Sequence, residues 1–343
     1  MRAAALSAAF FLFFQQAPLN AALRTKQEIP EFLGIREWKS QYGPLKKKNI
    51  LGAVVLIHFS SFTDVRSLYK ADTLINWQNK YYVSGFRVIH MLTPDFTFEK
   101  EITLPQHLSQ NKLINYPIAM DYRKAQWQAY NNPEKPFDFL IDKRGQIRFK
   151  VPAGESFENE EKMIQLLLKE ADPSFWSELE QYPIPKIPEI QDFPLGYRRN
   201  LRLGNLGKAR SETRQNFKLP AAEPTENLIY LSGYWKIWEE FAETAQGGAE
   251  LRLVWDGSPL FILGGIDRDS PTPVQIKIDE DAEIPEKLKG PDVVKQAEGY
   301  YIFLQKTQIY QASRLLKGGK HTLVLSFPEA GAKIFKISVS RKK

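Results

Sequence analysis

Leu51-Gly-Ala-Val-Val-Leu-Ile-His-Phe59, followed by Ser60-Ser-Phe-Thr-Asp-Val-Arg-Ser67, decides how the first half of this chain is read. An apolar run rich in β-branched residues ends in a short polar turn and meets a helix-period segment from Leu68 to Tyr82. That pattern is a buried strand delivering a loop to a helix N-terminus, the place where α/β folds put their sites. Leu68, Leu74, Trp77 and Tyr81 share one helix face, and Gly85 ends the helix. Phe86-Arg-Val-Ile-His-Met-Leu92 is then the next strand, parallel to the first through a right-handed crossover.

Further along, a second helix is expected around Pro105 to Asn115, a short strand at Tyr116-Pro-Ile-Ala-Met-Asp121, and one or two helical turns from Ala125 to Tyr130. Lys135-Pro-Phe-Asp-Phe-Leu-Ile-Asp142 and Gln146-Ile-Arg-Phe-Lys-Val151, joined by Lys143-Arg-Gly145, carry a hairpin signal. Glu158 to Glu170 reads as an amphipathic helix, with Met163, Ile164, Leu166, Leu167 and Leu168 available to cover the sheet. Residues 22–50 look like a polar, irregular entry segment with Pro30 and a Gly43-Pro44 turn signal.

This part of the chain resembles the thioredoxin-like (redoxin) family, whose redox unit is an apolar strand, Phe-Trp, and Cys-x-x-Cys opening a helix. Phe59 keeps the Phe, Ser60 takes the Trp position, and Asp64 and Ser67 fall where the two cysteines would be. The resemblance is to the C-terminal region of DipZ-type thiol-disulfide proteins and covers roughly residues 35–170. It rests on Thr93-Pro-Asp-Phe-Thr-Phe-Glu99, Tyr116-Pro-Ile-Ala-Met-Asp121, Trp127-Gln-Ala-Tyr130 and Leu140-Ile-Asp-Lys-Arg-Gly145, in that order. It implies that Pro136 is a cis-proline facing the redox loop, and that Phe62, Thr63, Lys135 and Pro136 line a groove that receives extended polypeptide.

The bulk composition narrows the function. At 343 residues and 43% apolar, the chain is long enough for two domains. Its net charge of +7 comes from basic residues interspersed with acidic ones, so no nucleic-acid footprint is indicated, and Lys46-Lys-Lys48 and Arg341-Lys-Lys343 read as solvated ends of elements. With no cysteine, the chain has no disulfide, thiolate nucleophile or Cys-ligated metal. Ala3 to Phe14 after Arg2 is apolar but short, and Leu19-Asn20-Ala21 offers small residues at a cleavage point, so residues 1–21 read first as a secretory signal peptide, with an uncleaved anchor and then a buried helix as the alternatives. No later run reaches about 18 apolar residues. The expected location is therefore periplasmic or secreted, with no stable membrane insertion after signal cleavage.

From Asp172 to Asn200 the prolines crowd, at Pro173, Pro183, Pro185, Pro188 and Pro194, as in an extended linker. Beyond it, about ten short and often alternating runs, from Asn227-Leu-Ile-Tyr-Leu231 to Ala332-Lys-Ile-Phe-Lys-Ile-Ser-Val339, argue for an antiparallel, jelly-roll-like β-sandwich. This half also resembles the sandwich that follows the thioredoxin-like domain in DipZ-type chains, through Leu195-Gly196, Ser232-Gly-Tyr-Trp235, Ile309-Tyr310 and Lys320-His-Thr-Leu323. The fold expected is thus a thioredoxin-like α/β domain over 22–171, a linker over 172–200 and an all-β sandwich over 201–343.

Each candidate site has a plain alternative. Asp64 is an ordinary helix N-cap, and with Ser67 it cannot form a disulfide. A hydrolytic trio of Asp64, His58 and Ser67 can be drawn, yet nothing in the spacing orients a base beside a nucleophile. His90, His107 and His321 are scattered, and Asp279-Glu-Asp-Ala-Glu283 lacks the spaced ligands of a calcium loop, so no metal or cofactor is expected. Trp235, Trp238, Trp255, Tyr300, Tyr301 and Tyr310 could stack on sugar, but alternating strand aromatics are more often core. The expected function is a redox-inactive, exported thioredoxin-like protein that binds a polypeptide beside Pro136. Glycan binding by the sandwich, or a thiol-independent enzyme at the Asp64 loop, is the alternative.

Overall fold

The computed structural model describes residues 27–40, 43–101, 114–205, 209–279, 283–314 and 319–341. The signal-peptide stretch, His107, and most of the helix expected near Pro105 lie outside the described residues. Seven strands make a first sheet: β1 (Gln27–Glu28), β2 (Glu37–Lys39), β3 (Val54–Ser60), β4 (Phe86–Leu92), β5 (Ile118–Met120), β6 (Phe137–Ile141) and β7 (Gln146–Pro152). Their order is β1-β7-β6-β3-β4-β5-β2. The sheet is mixed. β3 and β4 pair in parallel, as do β4 and β5, while β6 and β7 run antiparallel. Two of these strands come from the entry segment expected to be irregular: β1 and β2 add to the two edges, on β7 and β5.

All seven residues of β3 are buried, because the sheet is covered on both faces. Val54 and Leu56 point into one apolar cluster with Leu74 and Trp77 of α1 (Val65–Tyr81) and Ile164 and Leu167 of a later helix, Phe157–Ala171. Val55, Ile57 and Phe59 point the other way, into a cluster with Ile29, Ile50, Tyr130 and Phe139, against which Trp127 packs from α2 (Ala125–Ala129). The period-two alternation of a strand serves both layers at once. In the last helix, α3 (Phe157–Ala171), Ser156 accepts from the Asn159 amide at 3.2 Å as N-cap, and Met163, Ile164, Leu167 and Leu168 are buried. Leu166 departs from the expected set and faces solvent, since it sits off the stripe that meets the sheet.

Among the described residues the second half is strand apart from one 3-10 turn at Tyr197–Arg199: β8 (Glu189–Pro194), β9 (Gln215–Phe217), β10 (Ile229–Ile237), β11 (Ala242–Thr244), β12 (Ala249–Asp256), β13 (Leu260–Gly265), β14 (Thr272–Ile278), β15 (Val294–Gln296), β16 (Gly299–Leu304), β17 (Gln308–Gln311), β18 (Lys320–Phe327) and β19 (Lys333–Arg341). β10 belongs to two sheets. Ile229–Ser232 pair with β12, and from Gly233 onward the strand pairs with β9 and β11 instead. Gly233 is the corner: its φ is +79°, and a Cβ there would lie 2.9 Å from the Ala249 Cα. The two sheets enclose one apolar core containing Trp235, Leu251, Trp255, Leu323 and Ile337. The stretch expected to be linker is only partly so, because Glu189–Pro194 pairs along β19 and belongs to this second layer pair.

Candidate functional site

β3 ends at Ser60, and the polar turn Ser61-Phe-Thr-Asp64 carries the chain into α1. The pairing of Phe59 with Phe137 sets Ser60 across from Pro136, whose peptide bond with Lys135 is cis. The two positions where the resemblance puts cysteines have different fates. Asp64 is 1% exposed and caps α1, accepting from the Arg66 amide at 3.0 Å and from Arg66 Nε at 2.9 Å. Ser67 Oγ is buried with no hydrogen-bond partner among the described residues.

The loop after β4 closes over this turn. Glu99 is fully buried and collects four donors: the amides of Phe62 at 3.2 Å, Asp95 at 2.9 Å and Phe96 at 2.9 Å, and Thr63 Oγ1 at 2.9 Å. Asp95 accepts from Ser61 Oγ at 2.7 Å and from Lys135 Nζ, which also donates to the Thr93 carbonyl at 2.8 Å. Burial pulls the Lys135 ammonium below its ordinary pKa. Burial works against the Asp95 carboxylate too, but Lys135 outweighs it and holds the group below the usual carboxylate range. For Glu99, burial and then the Asp95 charge push the pKa up. The four expected groove residues, Phe62, Thr63, Lys135 and Pro136, are therefore brought to one end of the sheet, with Pro136 and Thr63 buried, Glu99 bonded to Phe62 and Thr63, and Asp95 bonded to Lys135. On this face the chain's own carboxylates, Asp95 and Glu99, take up the amides of Phe62, Asp95 and Phe96 and the side chains of Ser61, Thr63 and Lys135.

The β-sandwich docks on the same end. Phe96 and Phe98 pack on Phe335 of β19, at ring-centroid distances of 5.4 and 4.9 Å, beside Leu263 of β13 and Phe241. Arg199 donates to the Asp95 carbonyl and to Glu240 Oε1, and stacks over the Phe96 ring at 4.5 Å. Tyr69 of α1 meets Phe261 of β13 edge-on at 6.4 Å. Burial disfavours the Arg66 guanidinium, but Asp64, Asp192 and Asp95 together keep it charged.

Beneath the turn lies a buried polar row that sequence reasoning missed. His90, His58 and Asp138 are neighbours in register across β4, β3 and β6. His58 Nδ1 donates to Asp138 at 2.6 Å, Ser60 Oγ and His90 Nε2 share a hydrogen bond at 2.5 Å, and the imidazole centroids are 4.9 Å apart. From the helices above, Lys70 donates to Asp138 and, at 2.5 Å, to Glu160. Burial, with Asp138 nearby, pushes the Glu160 carboxyl up to about 8, whereas Lys70 and His58 overcome burial to hold Asp138 below the usual carboxylate range. Burial and His58 hold the His90 imidazole well below its ordinary pKa. The hydrolytic trio is not assembled: His58 spends its bonded nitrogen on Asp138, and among the described residues it makes no hydrogen bond to Asp64 or Ser67. The signal available in sequence was Asp138 itself, a carboxylate set inside an apolar strand, which a fold tolerates only when partnered.

Among the described residues no group of three or more His, Cys, Asp or Glu is placed to hold a metal ion, and no helix is long and apolar enough to cross a membrane. Asp279 bonds His321 Nδ1 at 2.5 Å and the Thr322 amide at 2.8 Å. Residues 280–282 of the acidic run lie outside the described residues. Trp235, Trp255, Tyr300 and Tyr310 are core, while Trp238 and Tyr301 are half-buried.

Residues 191–338 match the family described as "Thioredoxin like C-terminal domain". The chain is similar to Protein DipZ of Mycobacterium bovis and of Mycobacterium tuberculosis, with 28% identity over 258 residues in each case, covering 71% of this chain. It spans 36% of the length of those relatives. Solved structures similar to part of it include a putative thiol:disulfide interchange protein DsbE from Chlorobium tepidum, with 21% identity, a TM-score of 0.37, and coverage of 43% of this chain and 99% of that one. A putative thioredoxin from Neisseria meningitidis aligns with 20% identity, a TM-score of 0.37, and coverage of 44% and 95%. The chain thus resembles the thioredoxin-like, DipZ-type proteins, and it does so without a cysteine.

Proposed function

We propose that this is a redox-inactive, exported thioredoxin-like protein that acts by binding a polypeptide, with the face beside Pro136 as its recognition surface. The observation that carries the reading is the treatment of that face. Its strand, turn, helix and cis-proline are in place, while the positions the resemblance aligns with the two sulfurs hold a helix cap, Asp64, and a hydroxyl, Ser67 Oγ, without a hydrogen-bond partner among the described residues. No disulfide can form between a carboxylate and a hydroxyl, so binding is the property left to the frame. In the resting state the loop Thr93–Glu99 and the sandwich lie over the face, and an extended partner gains access when that loop lifts. The resemblance to DipZ-type proteins supports the exported location.

The test has two parts. The variant Asp64→Cys/Ser67→Cys is expected to form an internal disulfide on mild oxidation; a pair that stays reduced would remove the alignment on which the reading stands. Selection from an extended-peptide display library, with Asp95→Ala used to loosen the loop, is expected to yield peptides whose binding Pro136→Ala weakens. Peptides indifferent to Pro136→Ala would place recognition elsewhere.

A further inference from the structure

The end of the first domain opposite the Ser61–Ser67 turn has an unusual surface. Four loops converge there, tied by Gly52 N donating to Lys143 O at 2.8 Å, Val54 N to Gly85 O at 3.0 Å and Lys143 Nζ to Ala171 O at 2.9 Å. The rings of Tyr81 and Phe175 meet at 6.1 Å and bring the chain after α3 to the same place. On these loops Val83 is 91% exposed, Trp176 77%, Leu51 48% and Tyr82 39%. They are four of the nine large apolar side chains exposed among the described residues, so their gathering at one end needs an explanation.

Around them stand Lys46, Lys48, Lys143 and Arg144, all exposed and without an ion pair among the described residues. Most acidic groups nearby are already committed: Glu28 to Lys47, Glu170 to Arg148 and Glu180 to Lys80, while Asp142 is buried under the Arg144 and Gln146 amides. Asp172 is held by Ser174 and lies in the field of Lys143, and Glu178 is exposed. The net character of the end is cationic with apolar tips.

We propose that this end adsorbs to an anionic lipid bilayer, with Trp176 and Tyr82 at headgroup level and Val83 and Leu51 entering the acyl boundary. Trp and Tyr suit that depth because each joins an apolar ring to a polar group. Charge complementarity selects the acceptor, since each basic side chain at an anionic surface raises partition about fivefold. Val83 projects almost free of its own loop, which suits a fluid acceptor more than a fixed pocket. Adsorption here turns the Ser61–Ser67 end, with its docked sandwich, away from the membrane.

The absence of cysteine makes a direct test available. The full chain carrying Val83→Cys is labelled with nitrobenzoxadiazole and mixed with phosphatidylglycerol/phosphatidylcholine vesicles, and Asp269→Cys, an exposed position in the sandwich, is labelled as the control. The Val83→Cys label is expected to shift blue on anionic vesicles and the control label to stay unchanged. High salt, or the added triple reversal Lys48→Glu/Lys143→Glu/Arg144→Glu, is expected to lower partition at that label by at least about a hundredfold. The proposal is overturned by no shift at Val83→Cys, by an equal shift on pure phosphatidylcholine or at the control position, or by a shift that survives the reversal. It is equally overturned if heparin alone produces the shift, which would mark a general polyanion patch. Because the readout is local, the apolar N-terminal run common to every variant does not decide the result.

Discussion

Arg199, at the head of the β-sandwich, donates to the backbone carbonyl of Asp95, the residue whose carboxylate holds Lys135 next to the cis Lys135–Pro136 bond. One side chain therefore couples the position of the second domain to the closure of the first domain's loop. Glu240 completes the clasp by binding both Arg199 and the Thr97 amide, the latter at 2.8 Å.

Arg199→Ala should release that clasp. The variant loses a charge-assisted hydrogen bond, a half-buried ion pair and a cation–π contact, together about 1–3 kcal/mol. Amide exchange over residues 93–99 should accelerate while exchange in β3 and β4 stays slow. Unchanged exchange in the loop would show that the apolar contacts alone hold it shut.

Phe335→Ala removes the ring on which Phe96, Phe98 and Phe241 all pack. A loss of about 3–5 kcal/mol is expected for a buried aromatic of this kind. Since Phe335 belongs to the sandwich and Phe96 and Phe98 to the first domain, the substitution weakens the seam between them, and calorimetry should show the two domains melting separately. A single transition with both halves unfolding together would mean the seam does not depend on this cluster.

Lys70 stands between two carboxylates, Asp138 and Glu160, with all three groups buried. Lys70→Met should destabilise the protein by about 3–5 kcal/mol, because Asp138 is left charged in an apolar layer. Adding Asp138→Asn and Glu160→Gln to Lys70→Met should recover part of that loss. Urea denaturation of the single and triple variants measures the recovery, and a triple variant no more stable than the single one would contradict the charge argument.

The same cluster sets a pH dependence with two limbs. Glu160 binds its proton more tightly folded than unfolded, with a folded pKa of about 8 against an ordinary 4.5. Its contribution is complete below the unfolded value and drains away as pH rises through about 8, by at most about 1.4 kcal/mol per pH unit. His90 works in the opposite sense. Its folded pKa is depressed, so the unfolded chain takes up a proton first as pH falls below about 6.5, and stability drops there. Glu160→Gln should flatten the fall of the denaturation midpoint as pH rises toward about 8 and leave the acid limb in place. A fall toward about pH 8 that persists in Glu160→Gln would assign it to another group.

The strand at Val54–Ser60, the helix after it, the parallel crossover to β4, the hairpin and the mostly strand second half were readable from residue order alone. Each is set by local chemistry: apolar period, a capping Asp64, glycine at the turns, β-branched runs. The lack of cysteine likewise settled in advance that Asp64 and Ser67 form no disulfide.

Other features exist only after folding. The row His90, His58, Asp138, with Lys70 and Glu160 above it, unites residues from three strands and two helices by strand register and helix packing, and no local pattern encodes that. Closure of the loop by Glu99, the docking of Phe335 on Phe96, and the gathering of Leu51, Val83 and Trp176 at one end depend likewise on which surfaces the two layers leave adjacent. A residue's type and spacing fix the face it presents to its own element. Which group meets it there is decided by the packing of elements far away in the chain.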